Sequence, residues 1–279
     1  MLTTVFSIVN GDEEKIVEQC QAISLNVKLI RRLDPSRHIS LLLGSLLVND
    51  LVHINVKDFD KVYEADLGDN EISFLAKALP RIDADQILYI NERIFSLMPI
   101  TRAFERNLNS GIFFPKRILD FRGYDIDVVE SWQTQQLFGR HQWPIVTPKV
   151  LWINKDQKSL DFLDALDMFA SNWDTIGKEH SDGAMSAPTW DNLISFTCYT
   201  HANHYQCSEL LNLRSFAKRD FARDKNWINK EWYDWLDTWW VTKDAFYLRV
   251  ENFRQQGFVE LTGDCLLNIE AWIEKSKNV

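Results

Sequence analysis

With 279 residues, 46% of them hydrophobic, the chain is long enough for one large domain or two small ones with a sizeable core. Its formal net charge of -9 does not favour duplex nucleic acid as a default partner, although a local basic patch would still permit it. There is no apolar run of about eighteen residues, no secretion signal, and no disulfide framework among the scattered cysteines. We therefore expect a cytoplasmic protein that does not use a membrane as a partner.

The first third of the chain predicts strands that alternate with helices. TTVFSIVN, residues 3–10, predicts a first strand ending in the turn Asn10-Gly11-Asp12, and EEKIVEQCQAI, residues 13–23, predicts a helix. The pattern then predicts a strand at 26–33, a helix at 36–50 capped by Ser36, a strand at 51–56 and a helix at 70–79.

The apolar stretch ILYI, residues 87–90, predicts a buried strand, and the polar triplet Asn91-Glu92-Arg93 follows it. Because an unpaired buried charge is costly, the triplet is either a solvated bend or a binding site. Alternating strands and helices predict an α/β fold with a mixed, mostly parallel sheet flanked by helices, in which ligands bind beyond the carboxyl ends of the strands. Asn10-Gly11-Asp12 and Asn91-Glu92-Arg93 both satisfy that rule.

The second half of the chain shows a different pattern. Residues 109–127 predict irregular strands and turns, 144–156 an apolar strand, and 156–174 an amphipathic helix. The C-terminal part is rich in tryptophan, and we expect it to be helical. No Pro/Gly/Ser-rich linker divides the chain, so we expect residues 1–279 to form one domain, with halves at 1–105 and 106–279.

Part of the chain resembles a known enzyme family. YINERIFSLMPITRAFE, residues 89–105, resembles the segment of GT-A glycosyltransferases that reads roughly Y-L-D-A-D-T-x-V-L-x-P-I-x-x-L-F-E. VFSIVNGD (5–12) resembles the family's first strand, and TPKVLWINKD (147–156) the later strand that often precedes the acceptor site. The resemblance implies a nucleotide-binding half at 1–105, an acceptor half at 106–279, and sugar transfer from a nucleotide-sugar. The usual acceptor in this family is a glycan, whereas compact bacteriophage enzymes of this type glycosylate modified DNA bases.

The resemblance also implies roles for individual side chains. Asn10-Gly11-Asp12 would contact the nucleotide, and Lys77 stands where the family often has a lysine or arginine. Asn154, in the later strand, would lie on the acceptor side. Outside the resemblance, TWDNLISF places Trp190 and Asp191 at the start of a predicted helix, where Trp190 is either an ordinary structural residue or one that stacks on an acceptor sugar or base. Asp191 would take the proton from the attacking hydroxyl in an inverting transfer, although an ordinary acidic residue at a helix N-terminus is the simpler interpretation.

In this family an Asp-x-Asp motif holds a divalent metal, Mn²⁺ or Mg²⁺, that binds the donor diphosphate. Aligning Tyr89 puts Asn91 and Arg93 at the two aspartates, yet hard cations need carboxylate oxygens. Three interpretations follow. Arg93 replaces the metal by pairing with the diphosphate, or Asn91 and Glu92 hold a weak metal, or the protein only binds ligands or acts as a scaffold. At the level of residues, Arg93 is also explained as a surface side chain paired with a carboxylate.

Three other groups of residues have simple structural explanations. Asp83-Ala84-Asp85 precedes the ILYI strand, so we interpret it as a solvated turn at the end opposite to the site. Cys198, His201, His204 and Cys207 in CYTHANHYQC suggest zinc, but in one helix they would not converge. Residues 214–225 carry five basic residues against two acidic ones, which indicates a solvated helix face or, for a DNA acceptor, a phosphate contact.

Overall fold

The computed structural model describes residues 1–9, 13–44, 53–65, 71–99, 110–115, 118–120, 146, 148–175, 190–208, 213–216, 240–242, 245–250, 253–255, 257–261, 270 and 273–274.

These residues include four α-helices and fourteen strands. The helices are α1 (Glu13–Leu33), α2 (Glu71–Ala78), α3 (Gln157–Ser171) and α4 (Trp190–Thr200). The strands are β1 (Leu2–Ile8), β2 (His38–Gly44), β3 (Lys61–Ala65), β4 (Gln86–Ile90), β5 (Ile94–Ser96), β6 (Ile112–Pro115), β7 (Ile118–Asp120), β8 (Val150–Asn154), β9 (Tyr205–Ser208), β10 (Leu213–Phe216), β11 (Trp240–Thr242), β12 (Ala245–Val250), β13 (Phe253–Gln255) and β14 (Phe258–Leu261). No helix in the described part of the chain is long and apolar enough to cross a membrane.

A seven-stranded sheet with the order β3-β2-β1-β4-β8-β6-β9 organises the fold. β8 runs antiparallel to both of its neighbours, and the remaining pairings are parallel. The predicted α/β architecture with a mixed, mostly parallel sheet is therefore confirmed. A four-stranded sheet, β5-β14-β10-β7, and a three-stranded sheet, β11-β12-β13, complete the described strands.

Helices cover both faces of the large sheet. Along β1, Val5 packs with α2, α3 and α4 in one hydrophobic cluster, and Phe6 packs with α1 in another. Successive side chains of a strand point to opposite faces, so both faces of β1 are covered, and its hydroxyl-bearing residues Thr3, Thr4 and Ser7 are buried together with its apolar ones. The buried threonine Thr3 meets its hydrogen-bonding need through Ser40 and His38.

Three elements predicted between residues 26 and 56 are wrong. Residues 26–33 belong to α1, because Asn26, Val27, Leu29 and Ile30 continue its buried face. The segment predicted as a helix contains β2 instead, whose residues 39–44 are all buried, as in a parallel strand covered on both faces. Where a strand was predicted at 51–56, Val56 opens a short 3-10 helix, and the strand lies further along the chain, at β3.

The C-terminal prediction is only partly correct. α4 and residues 270 and 273–274 are helical, but the described elements between Tyr205 and Leu261 are strands. The first three residues of the basic segment 214–225 belong to the strand β10 rather than to a helix, and its residues 217–225 lie outside the described residues. Most of the tryptophan-rich segment, residues 227–239, lies outside the described residues.

Candidate functional site

The polar triplet Asn91-Glu92-Arg93 forms a tight turn between β4 and β5. Ile94 N donates to Asn91 O at 2.9 Å and closes the turn. Asn91 Oδ1 accepts from Arg93 N at 3.2 Å, a bond that explains an asparagine in the first position. The turn carries the chain from the seven-stranded sheet into the four-stranded sheet. The polar triplet is therefore a bend at the carboxyl end of a parallel strand, where ligands bind in such sheets.

Two strands hold the backbone of this turn at its ends. Asn91 N donates to Lys149 O, next to β8, at 2.9 Å, and Leu261 N of β14 donates to Arg93 O at 2.9 Å. The first bond ties the turn to the large sheet and the second ties it to the small one.

The side chain of Asn26 holds the middle of the turn. Its Nδ2 donates to Glu92 O at 2.9 Å from a position in α1 that is fully buried. Oδ1 of the same side chain has no hydrogen-bond partner among the described residues. Burying a polar side chain costs free energy unless it is hydrogen-bonded, so this contact accounts for an asparagine inside the helix face. The turn is thus anchored at each of its three residues.

The guanidinium of Arg93 extends to α1. Its Nη2 lies 3.2 Å from both Oε1 and Oε2 of Glu18. The two side chains are 38% and 43% exposed, respectively. Exposed ion pairs of this kind contribute about 0–1 kcal/mol to stability. This contact is the surface pairing that the sequence left open as one interpretation of Arg93.

A second ion pair, between Lys149 and Glu260, lies beside the same turn. Lys149 Nζ is 2.9 Å from Oε1 and 3.1 Å from Oε2 of Glu260. The carboxylate side chain is only 10% exposed, whereas the lysine side chain is 40% exposed. A nearly buried carboxylate requires a compensating charge, so Lys149 joins the two sheets electrostatically. Neither residue of this pair was predicted, and the one sign of it in the sequence is a glutamate inside the apolar strand FVEL.

β1 and β4 bring their carboxyl ends to one edge of the large sheet. They pair in parallel, with Val5 opposite Tyr89. Ser7 and Tyr89 share a buried hydrogen bond of 3.0 Å between their hydroxyls. Asn10-Gly11-Asp12, predicted to contact the nucleotide, follows β1 in the chain but lies outside the described residues.

Lys77 forms an ion pair between two helices that pack on the large sheet. It is the penultimate residue of α2, and its Nζ is 3.2 Å from Oδ1 of Asp167 in α3. α2 leads through a 3-10 turn to the amino end of β4, so Lys77 lies toward the edge away from Asn91. The structure does not bring Lys77 into contact with the turn.

Asn154 lies at the opposite edge of the sheet from Asn91. It pairs in register with Gln86, the first residue of β4, because β8 is antiparallel. The side chain is 6% exposed, accepts from Gln86 Nε2 at 2.8 Å and donates to Gly111 O at 3.2 Å. These contacts join β4, β6 and β8, so the structure does not bring Asn154 together with the turn.

Trp190 and Asp191 are the first residues of α4, which agrees with the helix start predicted there. Their side chains, like residues 176–189 before them, lie outside the described residues. Their predicted acceptor roles therefore stay predictions.

The literal Asp-x-Asp motif is an exposed feature of the other edge. Asp83 forms an ion pair with Lys61 at 2.8 Å, and Asp85 pairs with the N-terminal amine of Met1. The hydrogen bond from Lys61 lowers the pKa of Asp83, and the bond from the N-terminal amine lowers the pKa of Asp85. Both carboxylates are highly exposed, so the interpretation as a solvated turn is confirmed.

Neither of the two positions that align with the family's aspartates carries a carboxylate in this chain. Asn91 Oδ1 already accepts from a backbone N–H, and the position of the second aspartate carries the cation of Arg93. In the described part of the chain, no group of three or more His, Cys, Asp or Glu side chains is arranged to hold a metal. Neither Asn91 nor Arg93 supplies the charged oxygen that Mn²⁺ or Mg²⁺ prefers.

The CYTHANHYQC segment is not one continuous helix. α4 ends at Thr200, a turn follows, and β9 contains Cys207. Cys198 is fully buried, which raises the pKa of its thiol well above the usual range, whereas Cys207 is exposed. The rings of His201 and His204 contact each other edge to face, with centroids 5.3 Å apart. The four residues therefore do not share the single helix that the interpretation of the sequence assumed, and among the described residues they form no group arranged to hold a metal.

Comparisons with known proteins identify the fold. No protein-family model and no curated sequence matches the chain. The galactosyltransferase LgtC, in complex with donor and acceptor sugar analogues, is 11% identical with a TM-score of 0.53, over 100% of this chain and 96% of LgtC. Mouse xyloside xylosyltransferase 1 is 12% identical with a TM-score of 0.52, over 95% of this chain and 98% of the mouse chain. The sheet and its flanking helices thus form the fold of GT-A glycosyltransferases.

Proposed function

We propose that the protein is a glycosyltransferase that binds a nucleotide-sugar at the carboxyl edge of β1 and β4. The observation that carries this proposal is the anchored turn Asn91-Glu92-Arg93. It follows β4 in a GT-A fold, at the position where the resemblance implies the diphosphate. A turn whose backbone is held by β8, α1 and β14 supports a preorganised site, because the backbone needs little rearrangement when a ligand binds.

Neutralising the leaving diphosphate is the chemical task that we assign to Arg93. As the bond between the sugar and the diphosphate breaks, negative charge develops on the departing phosphate oxygen. A guanidinium offers several donors in a plane that matches phosphate oxygens. To reach the diphosphate, Arg93 has to leave Glu18, which costs little because both side chains are exposed. We accordingly propose transfer without a divalent metal.

On the acceptor side we propose Trp190 and Asp191, at the start of α4. Asp191 would accept the proton of the attacking hydroxyl, and Trp190 would stack on the acceptor ring. Asn10-Gly11-Asp12 would contact the nucleoside at the end of β1. We leave Lys77 and Asn154 out of the site, because both side chains make contacts away from the turn.

We favour a glycan over a DNA acceptor, because the net charge of -9 opposes binding to a polyanion. Gel-shift assays with DNA at low and moderate salt separate the two, since phosphate contacts weaken steeply as salt rises. No shift is expected at either concentration. Salt-sensitive DNA binding, together with sugar transfer to DNA, would reverse this choice.

The donor is tested by calorimetry and thermal shift with a panel of nucleotide-sugars and nucleoside diphosphates, each with EDTA and with Mn²⁺. We expect binding in EDTA, and a loss of about tenfold or more in affinity for Arg93→Ala, since charged hydrogen bonds are removed. Arg81→Ala, at an exposed position near the amino end of β4, is the matched control and should bind normally. Binding to no member of the panel would refute the donor site, and an absolute need for Mn²⁺ would refute the metal-independent version.

A non-catalytic binding protein on the same fold is the second candidate. The replacement of both expected carboxylates by Asn91 and Arg93 favours it. Incubation of the bound nucleotide-sugar with a glycan panel distinguishes the two functions. An enzyme releases nucleoside diphosphate at a rate that Arg93→Ala lowers, whereas a binding protein leaves the donor intact.

A further inference from the structure

Two side chains of α1 reach the turn, and they hold it in different ways. Asn26 binds the backbone carbonyl of Glu92 from a fully buried position. Glu18 binds the side chain of Arg93 from a position that is 43% exposed. The buried contact fixes where the turn lies, whereas the exposed contact can exchange with solvent or with a ligand.

The contact between Glu18 and Arg93 uses little of the guanidinium. Both carboxylate oxygens lie 3.2 Å from the same nitrogen, Nη2. In the strong geometry for such a pair, two nitrogens each donate to a separate oxygen. Glu18 therefore keeps the guanidinium of Arg93 in place through only one of its nitrogens, Nη2.

We propose that Glu18 is an internal competitor for the donor: it pairs with Arg93 in the free protein, and the diphosphate displaces it. The inference rests on the proposed function and deepens it. A diphosphate carries more charge than one carboxylate, so it outcompetes Glu18 once the nucleoside is bound nearby. Because each donor has to break the ion pair, Glu18 lowers the affinity and favours ligands with strongly charged phosphates. Glu18 is in this sense a positioning residue that acts through Arg93.

A double-mutant cycle tests this role. The affinity of the tightest-binding nucleoside diphosphate of the panel, and of pyrophosphate, is measured by calorimetry for Glu18→Gln, Arg93→Ala and the double variant. We expect Glu18→Gln to bind about two- to fivefold more tightly, the gain from losing an exposed competing pair. In the Arg93→Ala background the same substitution should have no effect. Coupling of this kind marks an interaction between the two side chains.

Glu14→Gln is the matched control, because it makes the same charge change one turn earlier in the same helix at an exposed position. Any effect of removing Glu14 should persist when Arg93 is absent, since it would come from general electrostatics. Thermal unfolding of each variant verifies folding, and Arg93→Gln replaces Arg93→Ala if the alanine variant does not fold.

Three results would overturn the inference in distinguishable ways. Unchanged or weaker binding by Glu18→Gln, with Arg93→Ala still defective, refutes the competitor and leaves the donor site intact. Equal tightening by Glu18→Gln with and without Arg93 means that the carboxylate repels the ligand directly. Binding to neither probe by the wild-type protein overturns both the inference and the proposed function.

Discussion

Asp156 is a polar residue outside the site whose side chain accepts three hydrogen bonds, so its removal should lower the stability of the fold. It caps α3, where its Oδ1 accepts from Ser159 N at 3.0 Å. Its Oδ2 accepts from Ser110 Oγ at 2.8 Å and from Gly111 N at 2.9 Å. One carboxylate thus ties the start of a core helix to the residues that enter β6.

The cost of Asp156→Ala follows from these three bonds. An N-cap contributes about 1 kcal/mol, and hydrogen bonds to a charged group about 1.5–3 kcal/mol each before non-additivity. We expect the free energy of unfolding to fall by about 2–4 kcal/mol. Asp156→Asn should cost less, about 1–2 kcal/mol, because its amide oxygen can still cap Ser159. Its NH₂ group, however, would face the N–H of Gly111, and two donors cannot pair.

The pH dependence provides a second readout. Partial burial by itself raises the pKa of Asp156, but the bonds from Ser159, Ser110 and Gly111 outweigh it and hold the pKa below its usual value. A carboxylate with a lowered pKa in the folded state stabilises above its unfolded pKa of about 3.9 and loses that contribution as pH falls through the folded value. The stability difference between wild type and Asp156→Asn should therefore shrink below about pH 4.

Urea denaturation between pH 3 and pH 7 measures both effects, with an unchanged m-value as the check that the unfolded state is the same. A loss below about 0.5 kcal/mol for Asp156→Ala would refute the reasoning, since ordinary surface substitutions cost no more. So would a difference between wild type and Asp156→Asn that stays constant down to pH 3.

Three further outcomes are expected. Gly111→Ala should lower stability by about 2 kcal/mol or more in thermal unfolding, because φ is +80° and the new Cβ would lie 2.7 Å from a backbone carbonyl oxygen. Lys149→Met should destabilise by about 1–3 kcal/mol by leaving Glu260 nearly buried without its lysine, and adding Glu260→Gln should recover part of the loss. Iodoacetamide followed by peptide mass mapping should label Cys207 in the native protein and Cys198 only after unfolding, and native labelling of Cys198 would contradict its burial.

The hydrophobic periodicity of the sequence was sufficient to locate the helices and strands that have one buried face or clear boundaries. The helix from Glu13, the amphipathic helix α3 and the strand β4 all lie where their patterns predict. Residues 38–44 show why other elements were missed. HISLLLG is buried on both faces, so it has no alternation to distinguish it from a buried helical segment. Only the length of the segment and its flanking residues can then distinguish a strand from a helix, and here they favoured a helix.

The turn that forms the candidate site could be proposed from the sequence, but the side-chain contacts that hold it could not. A polar triplet after an apolar strand indicates the ligand edge in any α/β sheet. Nothing in the sequence near Glu92 predicts that Asn26, at a distant point in the chain, donates to its carbonyl. The partners Glu18 and Glu260 are also far from Arg93 and Lys149 in the chain, at separations of 75 and 111 residues. Such pairings depend on tertiary packing, which a single sequence does not report.

The reversed direction of β8 determines which end of this strand lies beside the turn at 91–93. A parallel strand delivers the residues that follow it to the ligand edge, whereas an antiparallel strand delivers the residues that precede it. Lys149, before β8, therefore lies beside Asn91, and Asn154, at its end, lies at the opposite edge. Of the described residues that enter β8, Lys149 has a partly exposed side chain at this edge, whereas Val146 is buried in the hydrophobic core, so substitutions at Lys149 change the edge and substitutions at Val146 change the packing of the sheet.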